Sequence, residues 1–260
     1  MKQRIDILLV ERKLVESRAQ AKWLIKNGYI LVNKKQILKP SKRIDNLLEI
    51  QLTKQFPYVG RGGLKLEVAL KEFFISVKGK ICADIGASIG GFTDCLIKHG
   101  ASRVYAIDTA TDLLHPSLIS EEMKEIVIPM LGVDARNFLP IGERLDICTI
   151  DVTFASLKSI LPNLKRILKK NSDIIALVKP IFETEIDPHK KLYAIQDPNQ
   201  LYQILNGLIQ WFIKNQFFLV KVIKSPKVGR EGATEFLVHL KLKKNIVKID
   251  YNQMISNILK

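Results

Sequence analysis

Cysteine, histidine and tryptophan are scarce in this chain, with three, four and two residues among 260. Cys82, Cys95 and Cys148 are an odd set, each among apolar neighbours and none in a Cys-x-x-Cys spacing. That pattern argues for buried free thiols and against a disulfide framework. His99, His115, His189 and His239 are equally scattered, so no metal site is expected. Long apolar runs are missing too. No stretch approaches the roughly 18 residues of a membrane span, and Met1-Lys2-Gln3-Arg4-Ile5-Asp6 carries charges where a secretory signal needs an apolar centre. A cytoplasmic protein without stable membrane association is therefore expected. Acidic residues are short in supply, 26 against 41 Lys and Arg, and the resulting net charge of +15 calls for a polyanionic partner. The hydrophobic fraction of 47% is that of a folded chain, and the length leaves room for one large domain and one small one.

What the chain does have is a glycine-rich turn, Asp84-Ile85-Gly86-Ala87-Ser88-Ile89-Gly90-Gly91-Phe92, after the apolar run Ile81-Cys82-Ala83 and ahead of a helical pattern. Glycines let a backbone take positive φ and approach a ligand closely, while a strand-to-helix turn aims free N–H groups at it. A phosphate-cradling loop needs Gly-Lys-Ser/Thr at its end, and Gly91-Phe92-Thr93 has no lysine. A dinucleotide fingerprint needs a second glycine where Ser88 stands. The spacing Asp-x-Gly-x-x-x-Gly instead resembles the first motif of S-adenosylmethionine (AdoMet) methyltransferases. That resemblance implies that Asp84 serves the amino end of the methionine and that Gly86, Ser88, Gly90, Gly91 and Phe92 wrap the cofactor. The alternative is a tight turn whose glycines serve packing alone.

The charge is concentrated at the front. Residues 1–58 hold thirteen Lys and Arg against five Asp and Glu, over half of the surplus in under a quarter of the chain. Arg4-Ile5-Asp6-Ile7-Leu8-Leu9-Val10 predicts an amphipathic helix, and Ser17 to Lys26 a second one. There Ala21, Leu24 and Ile25 share one face, while Arg18, Lys22 and Lys26 recur every four residues on another. Asn27-Gly28 ends it, and Tyr29-Ile30-Leu31-Val32-Asn33-Lys34-Lys35 reads as a short strand entering a turn. From Arg4-Ile5-Asp6 through Ser17-Arg18, Gly28, Val32-Asn33 and Lys39-Pro40-Ser41, this succession resembles the small RNA-binding domain of a primary-binding protein of the small ribosomal subunit, also found in pseudouridine synthases. The resemblance implies that Arg4, Arg18, Lys22, Lys26, Lys34 and Lys35 grip folded RNA, joined by Arg61 of the linker. Lysines and arginines one turn apart can meet successive phosphates, with affinity but little sequence selectivity. A solvated helix face is the plain alternative. Gln55-Phe56-Pro57-Tyr58-Val59-Gly60-Arg61-Gly62-Gly63 is a Pro/Gly linker, giving a basic module at 1–58 and a second domain at 59–260.

In the second domain Leu64 to Phe74 predicts an amphipathic helix, and Ile81–Ile85, Val104–Ile107, Ile126–Ile128, Leu145–Ile150 and Ile174–Val178 predict strands alternating with helices. Such alternation means right-handed βαβ crossovers and a mainly parallel sheet. Residues 217–223 and 235–242 are two more strands joined by too little chain for a crossover, so they pair antiparallel. The fold class expected is α/β, a Rossmann-like AdoMet-dependent methyltransferase sheet with an antiparallel C-terminal hairpin, preceded by a small α+β domain.

Ligands of open α/β sheets lie beyond the carboxyl ends of the strands. Asp108, ending the second strand, is placed to accept hydrogen bonds from ribose hydroxyls. Asp134 follows the third strand; resemblance would set it at the adenine amino group, and a helix N-cap is the competing reading. Asp151 ends the fourth strand and Lys179 the fifth, with Lys65 before the sheet and Glu235 at the start of the last strand. In order, Lys65, Asp151, Lys179 and Glu235 match the Lys-Asp-Lys-Glu tetrad of FtsJ-like ribose 2′-O-methyltransferases. Tyr58-Val59-Gly60-Arg61-Gly62-Gly63-Leu64-Lys65-Leu66, Gly90-Gly91-Phe92-Thr93-Asp94-Cys95-Leu96, Asp151-Val152 with Phe154, and Lys179-Pro180 with Phe182-Glu183 further resemble the TlyA family, often called hemolysin A. This resemblance runs to about residue 242 and implies methylation of cytidine 2′-hydroxyls in ribosomal RNA or ribosomal subunits. Ile89, Thr153-Phe154-Ala155 and Ala233-Thr234 depart from the usual family words and leave the tetrad intact.

A ribose hydroxyl is a poor nucleophile until its proton leaves, and displacement at a sulfonium methyl is in line, so positioning matters as much as acid–base help. By resemblance Lys179 is the base or hydroxyl-polarising group, oriented by Asp151 and Lys65, with Glu235 completing the network. Lys227 and Arg230, ahead of Glu235, either hold the RNA backbone or sit in a solvated loop. Two other classes compete. A noncatalytic RNA-binding or ribosome-assembly factor would not need an intact tetrad and turn. A membrane-active hemolysin would need spans, a membrane-surface helix or a barrel pattern, whereas the apolar segments here are accounted for as core. The tail from Asn245 to Lys260 has a helical pattern that fits packing on the domain or on a partner.

Overall fold

Short apolar runs in the front of the chain close a small core, as the computed structural model displays for the residues it describes: 2–139, 142–184, 195–226, 229, 232–243 and 249–259. Contacts divide the chain into two units, Met1–Arg61 and Gly62–Lys260. The first unit runs β1 (Lys2–Arg4), α1 (Ile5–Glu11), α2 (Arg18–Lys26), β2 (Ile30–Val32), β3 (Lys35–Gln36), β4 (Arg43–Asp45) and β5 (Ile50–Leu52). Ile5, Leu8 and Leu9 of α1 meet Ala21, Leu24 and Ile25 of α2 in its core. Ser17 caps α2 by accepting from the Gln20 N–H, and Gly28 ends it at φ +75, where a Cβ would overlap the Gln36 side chain. Asn33 and Lys34, both at positive φ, turn β2 back into antiparallel β3. The first helix starts at Ile5, one residue later than the sequence suggests, because Arg4 belongs to β1, which pairs with β4.

The second unit contains α3 (Gly62–Phe73), β6 (Ile81–Ile85), α4 (Gly91–Lys98), β7 (Arg103–Asp108), β8 (Val127–Leu131), β9 (Leu145–Ile150), α5 (Leu157–Ile167), β10 (Leu168–Val178), α6 (Pro198–Lys214), β11 (Phe218–Lys224), β12 (Phe236–Lys241) and α7 (Tyr251–Leu259). Among the described residues one seven-stranded sheet has the order β11-β12-β10-β9-β6-β7-β8. The strands from β10 to β8 are parallel, while β12 lies antiparallel between β10 and the edge strand β11. From β6 the chain builds outward through β7 to β8, then returns to lay β9 on the other side. That reversal opens a crevice at the carboxyl ends of β6 and β9.

Not every expected crossover carries a helix. Between β7 and β8 only the 3-10 turn Pro116–Leu118 forms among the described residues, and none forms between β8 and β9. Asp112, His115, Pro116, Ser120, Glu121 and Glu122 interrupt any apolar stripe there. The apolar residues of β6, β9 and β10, among them Ile85, Cys148, Ile150, Ile174 and Ala176, fill the core with Leu161, Phe212, Phe217 and Phe236. The tail packs on its own domain. Tyr251, Met254, Ile258 and Leu259 lean on the core around a fully buried Ile255, and the Tyr202 hydroxyl donates to Asn252 Oδ1 at 3.1 Å. Truncating Ile255→Ala should therefore lower unfolding free energy by about 2–5 kcal/mol in urea denaturation; an unchanged midpoint would mean that α7 adds no stability.

Candidate active site

The glycine turn leaves β6 with Gly86 at φ +80, where a Cβ would overlap the Asp151 carbonyl oxygen. Asp151 donates its backbone N–H to the Ile85 carbonyl at 2.9 Å, so the ends of β6 and β9 are locked edge to edge. Beside them lies a cavity of about 590 Å³. Gly86 and Ser88 form one wall, Asp108 and Thr109 another, and 133–136 with 151–156 close the remainder. Asp108 accepts from the Ser88 N–H at 2.8 Å and the Ala110 N–H at 2.9 Å, which fixes its carboxylate at the end of β7. Ser88 takes φ +51 to make that contact.

Asp134 also lines the cavity, but its carboxylate is engaged. It accepts from the Arg136 backbone N–H and side-chain Nε, both at 2.9 Å, and pairs with the Arg136 guanidinium, whose hydrogen bonds hold its pKa below the usual carboxylate range. Asp134 opens a turn, closed by the Asn137 N–H on its carbonyl at 2.9 Å, and no helix starts there, so the N-cap reading fails.

Four of the residues assigned to the cofactor do not line the cavity. Asp84 points inward and is fully buried, accepting from Thr93 Oγ1 at 2.7 Å and Thr149 Oγ1 at 3.1 Å. Burial outweighs these donors and lifts its pKa from 3.8 to about 7. As placed, Asp84 supports the turn from beneath and does not face the cavity. Gly90, at φ +93, has no room for a Cβ beside Leu114 and Leu118, and a Cβ at Gly91 would press on Gly62 and Gly63 at 3.2 Å. Phe92 is buried. All three are packed against protein atoms.

The tetrad residues come together as two ion pairs. Lys65, on α3, meets Glu235 Oε2 at 2.6 Å, and Lys179 meets Asp151 Oδ1 at 2.6 Å. Lys179 Nζ also donates to the Val152 carbonyl at 2.9 Å and Thr153 Oγ1 at 3.1 Å. All four side chains are more than three-quarters buried. Strand register explains the meeting: Val178 lies opposite Phe236, so Lys179 and Glu235 occupy the next position beyond that ladder. Gly229 approaches so closely that a Cβ there would overlap the Glu235 carboxylate. Lys227 and Arg230 lie outside the described residues.

Several residues at the site were given no role in the sequence reading. Phe154 sits at φ +65, is 61% exposed, lines the cavity and packs on Phe182 with ring centroids 5.4 Å apart. An aromatic three residues past Asp151 was the available signal. Thr93, Thr149, Thr153 and Ser156 carry no spacing signal, since their partners lie on other elements. In the first unit Lys22, Lys26, Lys34, Lys35 and Arg61 are exposed. Arg4 and Arg18 instead both bind the buried Asp6 carboxylate, at 2.9 and 3.1 Å, so they are not free cations, although Arg18 keeps half its side chain in solvent.

A parallel sheet with a strand-order reversal, a glycine turn and an acid at the next strand end defines a nucleoside-cofactor enzyme of the doubly wound α/β class. Residues 58–242 match the family described as FtsJ-like methyltransferase, and residues 3–46 match the S4 domain. The chain is 32% identical to the 16S/23S rRNA (cytidine-2′-O)-methyltransferase TlyA of Mycobacterium tuberculosis over 92% of this chain and 89% of that one. It is 35% identical to Hemolysin A of Brachyspira hyodysenteriae over 91% of this chain and 98% of that one. A solved structure from Streptococcus thermophilus bearing a hemolysin name is 33% identical, with a TM-score of 0.71, covering 99% of this chain and 95% of that one. The chain belongs to the FtsJ-like methyltransferase family, in its TlyA branch with an S4 domain ahead of the methyltransferase domain.

Asp84 makes a testable demand on pH. Its folded-state pKa stands above its ordinary 3.8, so its support for folding is complete below that value and is lost as pH rises through about 7. Asp84→Asn removes this dependence. Urea denaturation at about pH 5 and about pH 8 should show the variant gaining on the wild type at the higher pH. A pH-independent difference would mean that Asp84 does not titrate in this range.

Proposed function

We propose that this chain is an AdoMet-dependent methyltransferase acting on the ribose 2′-hydroxyl of cytidine in ribosomal RNA. The observation that carries the reading is the pair of lysine–carboxylate contacts, Lys179–Asp151 and Lys65–Glu235, of which Asp151 also lines the cavity. The relatives named for cytidine 2′-O-methylation support the substrate.

The cavity residues suit AdoMet. Gly86 and Ser88 line the cavity, the Asp108 carboxylate suits ribose hydroxyls, and Ile107, Val133 and Ile160 offer apolar walls for a purine. The turn supplies no lysine for a phosphate, which suits a cofactor without one. When bound, AdoMet supplies an electrophilic methyl group.

The chain's own residues prepare the acceptor. Asp151, the Val152 carbonyl and Thr153 Oγ1 take all three donors of a Lys179 ammonium, so a substrate hydroxyl reaches that nitrogen by replacing one of them, Thr153 Oγ1 at 3.1 Å being the longest contact. Lys179 polarises the hydroxyl or takes its proton, Asp151 holds Lys179 in place, and the Lys65–Glu235 pair braces the next position of the sheet. Phe154 presents a ring face on which a nucleobase can stack. In the S4 unit Lys22, Lys26, Lys34 and Lys35 present cations to RNA phosphates. Ribosomal RNA as substrate implies work in the cytoplasm. Among the described residues no helix is long and apolar enough to cross a membrane.

Lys179→Ala should leave a folded protein that binds AdoMet in calorimetry and lowers methyl transfer to ribosomal subunits by about 10²–10⁴-fold; transfer near the wild-type rate would refute the assignment. For the S4 unit, Lys22→Glu with Lys26→Glu spares the Asp6 contacts. RNA affinity should fall, with a shallower salt dependence, in a filter-binding titration. Equal affinity and slope would remove that face from the RNA contact.

A further inference from the structure

Glu183 ends the 3-10 turn Pro180–Phe182, which begins at Lys179, and it has no part in the tetrad. Its carboxylate reaches the other loop of the site. Ser156 Oγ donates to Oε2 at 2.6 Å, and the Leu157 backbone N–H donates to Oε1 at 2.8 Å. Ser156 is the N-cap of α5 and Leu157 its first residue, so one carboxylate from 27 residues away sits on the positive end of that helix.

Capping alone does not require this arrangement. Ser156 Oγ already accepts from the Lys158 N–H at 3.1 Å, and the Ser159 N–H finds the Ser156 carbonyl at 3.0 Å. What Glu183 adds is a connection between two loops. On its own side the turn is closed by Phe182 N–H to the Lys179 carbonyl at 2.9 Å and Glu183 N–H to the Pro180 carbonyl at 3.1 Å. On the far side the loop runs back from Ser156 through Thr153 and Val152 to Asp151, all three of which accept from Lys179. A closed ring of contacts results. It passes from Lys179 through the turn to Glu183, across to Ser156 and Leu157, and back through Asp151 to Lys179. Phe154 and Phe182 pack at a tilt of 60° across the same gap. Glu183 is mostly buried, and that burial raises its pKa despite the donors.

We propose that Glu183 is a positioning residue for methyl transfer, a clasp that holds the β9–α5 loop against the Lys179 turn and thereby sets Lys179 against Asp151. The role rests on the proposed function above. Glu183 touches no reacting atom and acts through Lys179 and Asp151. Misplacing them by about an ångström is enough to lower turnover strongly, and by more than it weakens binding at the cavity that the same loop lines.

The test uses the full-length chain with AdoMet and ribosomal subunits. Glu183→Ala should lower kcat by about ten- to a hundredfold, with KM for RNA and the calorimetric Kd for AdoMet changing by a clearly smaller factor. Glu183→Gln should recover most of kcat, because its amide oxygen still accepts from the Leu157 N–H and its NH2 can donate to Ser156 Oγ. Ser156→Ala should lower kcat in part, and the double variant Ser156→Ala/Glu183→Ala should be no worse than Glu183→Ala alone. If Glu183→Ala does not fold, the Gln and Ser156 variants decide: near-wild-type kcat for Ser156→Ala, or a Gln variant with normal stability and no turnover, overturns the clasp. A Glu183→Ala protein with wild-type kcat, or one whose loss lies in AdoMet affinity, overturns it equally. If the wild type transfers no methyl to RNA while binding AdoMet, the underlying reading fails and takes this role with it; an active wild type with an indifferent Glu183 defeats the clasp alone.

Discussion

The backbone of Gly86 lies against the carbonyl of Asp151, and the site is built on that contact. It is possible because residue 86 has no Cβ and takes a positive φ, and it is tightened by the Asp151 N–H donating to Ile85. Two loops with different chemistry thereby share one rigid base. One is the turn that continues to Ser88 and, through the Ser88 N–H, to Asp108. The other starts at Asp151 and carries Val152, Thr153 and Phe154. A side chain at residue 86 would separate the ends of β6 and β9, moving the cofactor wall and the Lys179–Asp151 pair apart in one step.

Buried polar groups hold this base from below. Asp84 lies directly under the turn, tied to Thr93 at the start of α4 and to Thr149 on β9, so the helix, the turn and the neighbouring strand are joined through one carboxyl. A paired buried carboxyl is costly to desolvate and is tolerated where its hydrogen bonds are met. The tetrad follows the same rule, each lysine facing a carboxylate on a different element, and this places four ionisable groups in a mostly buried site without an isolated charge.

Much of the fold was legible because its strands are short apolar runs. Ile81–Ile85 and Leu145–Ile150 are read with their observed bounds, since both lie in the middle of the sheet and are apolar on both faces. The first half of β10 was not legible. Leu168-Lys169-Lys170-Asn171-Ser172-Asp173 is polar, and the ladder with β9 is interrupted there. The site divides in the same way. That Asp151, Lys179 and Glu235 end or begin neighbouring strands follows from chain order. Which way Asp84 faces depends on its register opposite Thr149, and that is decided by the whole sheet. Gly90 looks like a ligand-approach glycine in the motif, yet Leu114 and Leu118, brought from a distant loop, determine its use. Ser156 and Glu183 meet across 27 residues with no spacing signal at all.

The central claim is the atom that receives the methyl group. The direct measurement is transfer from tritium-labelled AdoMet onto separated ribosomal subunits, followed by nuclease digestion to nucleosides and mass identification of the labelled product. The two lysine–carboxylate pairs predict label on a ribose 2′-oxygen, and the relatives' substrate makes 2′-O-methylcytidine the expected product. Label on a base carbon or nitrogen, or none on RNA from a protein that binds AdoMet, would contradict the account.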